Sequence, residues 1–237
     1  MKAILLCAGR GSRLDPLTVD RPKCLVEVGG AAILDHQISA LHACGIHEIV
    51  VVAGYRCDAI HDHVAGHPLE RSIDVAYNPR WATSNSIGSV WTARAHLANP
   101  FILVNGDTIF SPALLGKALR AVECGVNLLI EQSAAMDDDM RVDVADGRIA
   151  EVGKGLDDAS FRSLGIIVST GGERYLGALA DVLDAPDGDQ SYHHAVIDRL
   201  ARDDEVHPVT VTGMHWQEID QVGDIDLWNA HRERHAA

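Results

Sequence analysis

Short, nearly unbroken apolar runs recur along the chain: "AILLCA" (3–8), "EIVVVAG" (48–54), "IDVAYN" (73–78), "FILVNGD" (101–107), "NLLIEQ" (127–132), "LGIIVS" (164–169) and "VHPVTVTG" (206–213). Continuous rather than alternating hydrophobicity marks strands covered on both faces, the pattern of parallel sheets. Between the runs, Leu34, Ile38 and Leu41 fall at i, i+4, i+7, and Leu176, Leu179 and Leu183 at i, i+3, i+7. These spacings predict helices lying on a sheet. Strand and helix alternate through the first 130 residues, which predicts an open, mostly parallel α/β sheet flanked by helices. "MRVDVADGRIAEVG" (140–153) carries an Asp-Gly turn between two short alternating stretches. It predicts a small β-hairpin and a mixed sheet in the second half. No internal repeat, low-complexity tract or Pro/Ser-rich linker divides the sequence, so residues 1–237 read as one domain.

Composition narrows the class. With 47% apolar and 23% charged residues the 237-residue chain suits a globular core. A formal charge of -14 argues against nucleic acid as a partner, because a phosphate backbone would be repelled except at a local basic patch. The five cysteines are odd in number and no two lie closer than thirteen positions, which predicts neither a disulfide framework nor a C-x-x-C site. "AILLCAG" is too short for a secretory core and runs directly into "RGSR". No run approaches the roughly 20 apolar residues that cross a bilayer. The expectation is a cytoplasmic protein that meets neither membrane nor nucleic acid; a homodimer is compatible with the sequence.

Against that acidic background, "AGRGSRLDPLTVDRPKCL" (8–25) concentrates four of the twenty cations and two close glycines directly after the first apolar run. Glycines allow a backbone to approach a ligand closely, and exposed N–H groups beside fixed cations favour an anion, phosphate above all. The string is no P-loop, since G-x-x-x-x-G-K-[ST] is absent. Nor is it a dinucleotide fingerprint, because Leu14 stands where the third glycine of G-x-G-x-x-G is required. Lysine is scarce, occurring at positions 2, 23, 117 and 154, so Lys23 after Pro22 is a chosen point charge. Asp107, just beyond a buried strand, stands where ligands of open α/β sheets bind and is suited to Mg²⁺ beside phosphate oxygens; capping a helix that starts near Pro112 is its structural alternative.

Taken whole, strand, "AGRGSR", about nine residues and then "PK" resembles the nucleotidyltransferase superfamily that activates sugar phosphates, phosphocholine and phosphonates as nucleotide conjugates. The resemblance implies a Rossmann-like, GT-A-like fold whose glycine loop wraps a triphosphate. It places Leu6 and the backbone of Ala8, Gly9, Arg10, Gly11 and Ser12 at the nucleotide, Arg13 on the outer phosphates and Lys23 at the phosphate under attack. Asp107 is then a metal ligand that also faces the nucleotide. "HWQEIDQVGDIDLWNA" (215–230) resembles the W-x-E-I-D segment of phosphocholine and phosphonate cytidylyltransferases, which implies Asp220 as second metal ligand with Glu218 close by; Asp224 and Asp226 read as caps of the last helix. "YNPRWATSNSIGSVWTA" (77–93) resembles the cytidylyltransferase branch more than the sugar branch, placing Asn78, Asn85 and Ser89 at base or phosphate. Turn formation and helix capping are the structural alternatives for these three.

The acceptor end is less determined. Trp81, Trp91, Trp216, Trp228, Tyr77 and Tyr192 could in part cage a quaternary ammonium, although Trp91 and Trp228 fall on predicted helices and read as core. Asp137, Asp138 and Asp139 in "MDDDM" would suit a primary ammonium or form a solvated turn. Lys154 resembles a lysine held against the acceptor's phosphate. His61 with His63, and His193 with His194, read as surface residues. The resemblance thus implies an Mg²⁺-dependent enzyme moving CMP from CTP onto a small phosphate or phosphonate monoester, of phosphocholine or aminoethylphosphonate type, with release of pyrophosphate. Arg13, Lys23 and Lys154 would act at the reacting phosphates, and Trp81, Asp138, Asp139, Lys154, Tyr192 and Glu218 would face the acceptor. A sugar-1-phosphate nucleotidylyltransferase and a catalytically silent nucleotide-sensing subunit are the alternatives.

Overall fold

The computed structural model describes residues 1–133 and 139–235. Strand β1 (Lys2–Cys7) is followed by two short strands that pair with each other, β2 (Glu27–Val28) and β3 (Ala31–Ala32), then by α1 (Ile33–Ala43) and β4 (Glu48–Ala53). The alternation continues with α2 (Cys57–Ala65), β5 (Ile73–Tyr77), α3 (Ser86–Thr92), β6 (Phe101–Asn105), β7 (Thr108–Phe110) and α4 (Pro112–Ala121). The second half contributes β8 (Val126–Gln132), β9 (Arg141–Ala145), β10 (Arg148–Gly153), β11 (Phe161–Ser169), α5 (Glu173–Asp184), α6 (His194–Ala201), β12 (Val206–Thr210), β13 (Trp216–Glu218) and α7 (Val222–His235).

Every apolar run predicted as a strand forms one, and both predicted helices are present as α1 and α5. The sheet runs β10-β9-β11-β6-β1-β4-β5, with β8 joining β11 to β12. Strands β6, β1, β4 and β5 are mutually parallel, and β11 is antiparallel to its neighbours, so the α/β architecture carries the expected mixed second half. The hairpin of β9 and β10 turns through Asp146 and Gly147, both at positive φ (50° and 79°), the signature of a tight Asp-Gly turn.

Alternate residues of each buried strand serve opposite faces. Ala3, Leu5 and Cys7 of β1 pack with α1 residues Leu34, Ile38 and Leu41 and with Leu114 and Leu115 of α4. Ile4 joins the other layer, where Ile87 and Val90 of α3 meet Tyr175, Leu179 and Ile197 of α5 and α6. A third cluster joins Leu14, Val26, Val28, Ile33, Ile109, Ile219 and Trp228. It packs the cationic loop, the β7–β13 ribbon and the last helix against one another.

The connectivity creates a crevice. From β1 the chain moves outward through β4 and β5, then returns to place β6 on the other side of β1. Ligands of open α/β sheets bind beyond the strand ends at such a reversal. Leu6 of β1 is in register with Asn105 of β6, so the glycine loop and the Asp107 turn leave neighbouring strands at the same edge. The two backbones touch there: a Cβ on Gly106 would lie 2.4 Å from the Leu6 carbonyl oxygen. Gly106→Ala is therefore expected to force the strands apart at a cost of about 1–3 kcal/mol. Its thermal midpoint should fall by roughly 3–10 °C, measured by calorimetry.

Candidate active site

Asp107 owes its position to its neighbours. Gln37, fully buried on α1, donates from Nε2 to the carbonyls of Asn105 (2.7 Å) and Thr108 (2.8 Å), clamping the turn on both sides of Asp107. Asp220 arrives from the other end of the chain because β13 pairs antiparallel with β7, Glu218 opposite Thr108. The Ile219 N–H then donates to the Asp107 carbonyl at 3.0 Å. Asp224 accepts from the backbone N–H groups of Asp220 (2.8 Å) and Gln221 (2.7 Å), so it caps α7 as expected. Ser111, rather than Asp107, caps α4.

Carboxylate oxygens of Asp107, Glu218 and Asp220 all lie within 4.8 Å of one another. Lys23 Nζ donates to Asp107 Oδ2 at 2.7 Å and to Asp220 Oδ1, and Arg13 pairs with Asp220 Oδ2 at 3.2 Å. Burial works against the Lys23 ammonium, but Asp107 and Asp220 outweigh it and hold its pKa above the ordinary value. Two cations thus answer two carboxylates, and the third carboxyl keeps its proton. Burial, reinforced by the charges of Asp107 and Asp220, pushes Glu218 up to about 8. Asp107 Oδ1 is buried without a partner among the described residues. Hard oxygen donors at this spacing, one of them unpartnered, fit a divalent cation that also takes phosphate oxygens.

The loop is shaped around Lys23. Gly11 has φ 75°, and a Cβ there would lie 2.7 Å from Lys23 Cβ, so glycine both permits the turn and makes room for the lysine stem. A cleft of about 290 Å³ opens above this cluster. Its wall includes Leu6, Ala8, Gly9 and Arg13 from the first strand and loop, and Asn78, Asn85 and Ser89 from the middle segment. Asn78 Nδ2 donates to Ser89 Oγ at 3.1 Å, and Asn85 caps α3 by accepting from the Ser86 N–H. Trp81, Lys154, Tyr192, Asp107, Glu218 and Asp220 also line it, whereas Lys23 is not part of the lining, and Lys154 Nζ lies 4.8 Å from the Tyr192 ring centre.

Several expectations do not hold in space. Arg10 turns back to Asp15 at 2.8 Å, and neither it nor Gly11 and Ser12 lines the cleft. Of the six aromatics considered for a cage, only Trp81 and Tyr192 face the cleft. Trp228 is core as expected, but Trp91 is 38% exposed and stacks under Arg94 instead. Asp139 pairs with Arg162 at 3.4 Å and is not part of the cleft lining, although its charge reaches Glu218, and Asp137 and Asp138 lie outside the described residues. His193 and His194, expected at the surface, are 1% and 4% exposed and line the cleft. The residues that sequence reasoning missed are mostly small: Ser84, Ser86, Asn105, Gly106, Ser163 and Gly165.

The sequence profile of the MobA-like NTP transferase domain matches residues 3–209. The chain belongs to that family. The CMP-5'-(3-aminopropyl)phosphonate synthase of Streptomyces rubellomurinus is 29% identical over 238 residues, covering 94% of this chain and 37% of its own length. The UTP–glucose-1-phosphate uridylyltransferase AglF of Haloferax volcanii is 36% identical over 120 residues, 51% of this chain and 48% of its own. The chain thus spans less than half the length of either curated relative. The fold of this NTP transferase domain matches the structure of CTP:phosphocholine cytidylyltransferase from Streptococcus pneumoniae with a TM-score of 0.81 at 20% identity, over 98% of each chain.

The protonated Glu218 makes stability depend on pH. Between pH 5 and 8 the unfolded chain has released this proton and the folded domain retains it, so stability falls as pH rises through that window. In chelator-treated protein, Glu218→Gln should melt several degrees above the parent at pH 8, the difference shrinking towards pH 5, followed by thermal denaturation at both pH values.

Proposed function

We propose that this NTP transferase domain moves CMP from CTP to a small phosphate or phosphonate monoester and releases pyrophosphate, using Mg²⁺. The observation that supports it best is the meeting of Asp107 and Asp220, 113 positions apart, with Lys23 and Arg13 at the foot of the glycine loop. Nucleotidyl transfer asks a protein for in-line positioning and for positive charge around phosphorus, with little covalent chemistry of its own. A bound divalent ion would supply charge neutralisation on the phosphate oxygens, held by Asp107 and Asp220 with Glu218 in reach. The backbone of Ala8 and Gly9 seats the triphosphate, and Arg13 faces its outer phosphates. Lys23 keeps the two aspartates in place and brings its own charge to the α-phosphate. An acceptor oxygen attacks the α-phosphorus, the bond to the β-phosphate oxygen breaks, and pyrophosphate leaves. No general base is required, because a phosphate or phosphonate oxygen is already anionic near neutral pH.

Of the two head groups considered, an aminoalkylphosphonate is favoured over phosphocholine. The phosphonate synthase relative covers 94% of this chain, and a two-aromatic wall of Trp81 and Tyr192 is thin for a quaternary ammonium. A second reading, sugar-1-phosphate nucleotidylyl transfer, is favoured by the Haloferax relative. A silent nucleotide-sensing role sits poorly with an intact acidic cluster and lysine.

The test is pyrophosphate release from each of the four NTPs with Mg²⁺ and a panel of acceptors. CTP with 2-aminoethylphosphonate should give the strongest signal, whereas signal confined to glucose-1-phosphate would overturn the acceptor class. Lys23→Ala and Asp107→Asn should each lower kcat/KM by about a hundredfold or more; parental turnover in either variant would contradict these roles.

A further inference from the structure

His193 and His194 line the cleft yet are almost wholly buried, at 1% and 4% exposure, and no step above uses them. His193 precedes α6 and His194 is its first residue, so the helix begins at the cleft wall. Each ring is tied to a serine that also lines the cleft: His193 Nδ1 lies 3.1 Å from Ser86 Oγ, and His194 Nε2 lies 3.0 Å from Ser163 Oγ. The distal nitrogens, Nε2 of His193 and Nδ1 of His194, are buried with no hydrogen-bond partner among the described residues. Leaving such groups unpaired is costly, and both rings belong to residues that line a ligand-sized cleft.

Ser86 Oγ also accepts the His193 backbone N–H at 2.9 Å, and Ser163 Oγ accepts the Gly165 N–H at 3.0 Å. With one lone pair of each oxygen so engaged, the tautomer in which the hydroxyl donates to the neighbouring ring nitrogen puts the ring's own proton on the distal nitrogen. In that tautomer the two unpartnered atoms are N–H donors. The start of α6 adds partial positive charge, and Lys154 over Tyr192 adds a full one. Among the described residues, the carboxylates lining the cleft are those of the acidic cluster alone, Asp107, Glu218 and Asp220. Donors and positive potential at one wall call for an anion.

We propose that His193 and His194 form a pair of neutral N–H donors that positions the phosphate or phosphonate oxygens of the acceptor. This rests on the transfer reaction proposed above and adds two specificity-determining residues to it. Burial keeps both rings uncharged: His193 falls to about 4, and His194, next to His193 and Lys154, is lowered as well. Neutrality suits the chemistry. An imidazolium would share its proton with the attacking oxyanion and blunt it, whereas a neutral N–H orients that oxygen and leaves it anionic.

Imidazole ¹⁵N spectra of the parent protein at pH 6 test the assignment directly. Both rings should be neutral, with His193 protonated at Nε2 and His194 at Nδ1, and methylphosphonate should shift both with CTP present. Charged rings, the opposite tautomers or silence on adding methylphosphonate would overturn the proposal. In turnover, His194→Leu and His193→Leu should raise KM for 2-aminoethylphosphonate about ten- to a hundredfold with CTP affinity unchanged. His194→Asn and His193→Gln, which restore an N–H, should recover most of that loss; parental KM in the leucine variants, or no recovery, would contradict it. A parent that responds to methylphosphonate but transfers no nucleotide would instead refute the reaction and leave this site standing.

Discussion

Two carboxylates drawn from distant parts of one chain can share a small, half-buried volume only if cations hold them there. In this NTP transferase domain Lys23 bonds both Asp107 and Asp220, and Arg13 takes the remaining oxygen of Asp220. The balance is close: with two aspartates answered by two cations, the half-buried Glu218 is pushed up to about 8 and keeps its proton below that pH. A bound divalent ion would change that count, since its charge would add to that of Lys23 and Arg13 and would favour the ionised form of Glu218.

The sheet exists around that meeting. Parallel β1 and β6 deliver the glycine loop and the Asp107 turn to one edge, and Gln37 of α1 clamps the turn from beneath. The antiparallel ribbon of β7 and β13 brings Glu218 and Asp220 to the same level, and the apolar cluster of Leu14, Ile109, Ile219 and Trp228 packs loop, ribbon and last helix together. Packing of ordinary apolar residues thus sets the position of the charged ones.

Much of this was legible in the chain, for identifiable reasons. Strands buried on both faces write themselves as unbroken apolar runs, and a tight loop needs glycine where a side chain would collide, as one at position 11 would with Lys23. Asp220 was found by likeness of its surrounding segment rather than by any local physical signal, because its pairing depends on the register of β13 with β7. Which of the two loop arginines turns back to Asp15 could not be read from the spacing; in the fold it is Arg10. The buried histidines were missed because two adjacent imidazoles look like surface polarity. The periodicity of α6 held the signal: His194, Ile197 and Ala201 share one face at i, i+3, i+7, and all three are buried. Gly106, Ser163 and Gly165 gave no sequence sign, since small residues become site walls only through the tertiary contact that requires them small.

The central claim is that Asp107 and Asp220 hold one divalent ion jointly. Electron paramagnetic resonance of Mn²⁺ titrated into the protein with CTP reads this directly. One ion per chain should bind in the parent, and Asp107→Asn and Asp220→Asn should each abolish that site; parental Mn²⁺ binding in the Asp220→Asn protein would contradict the account.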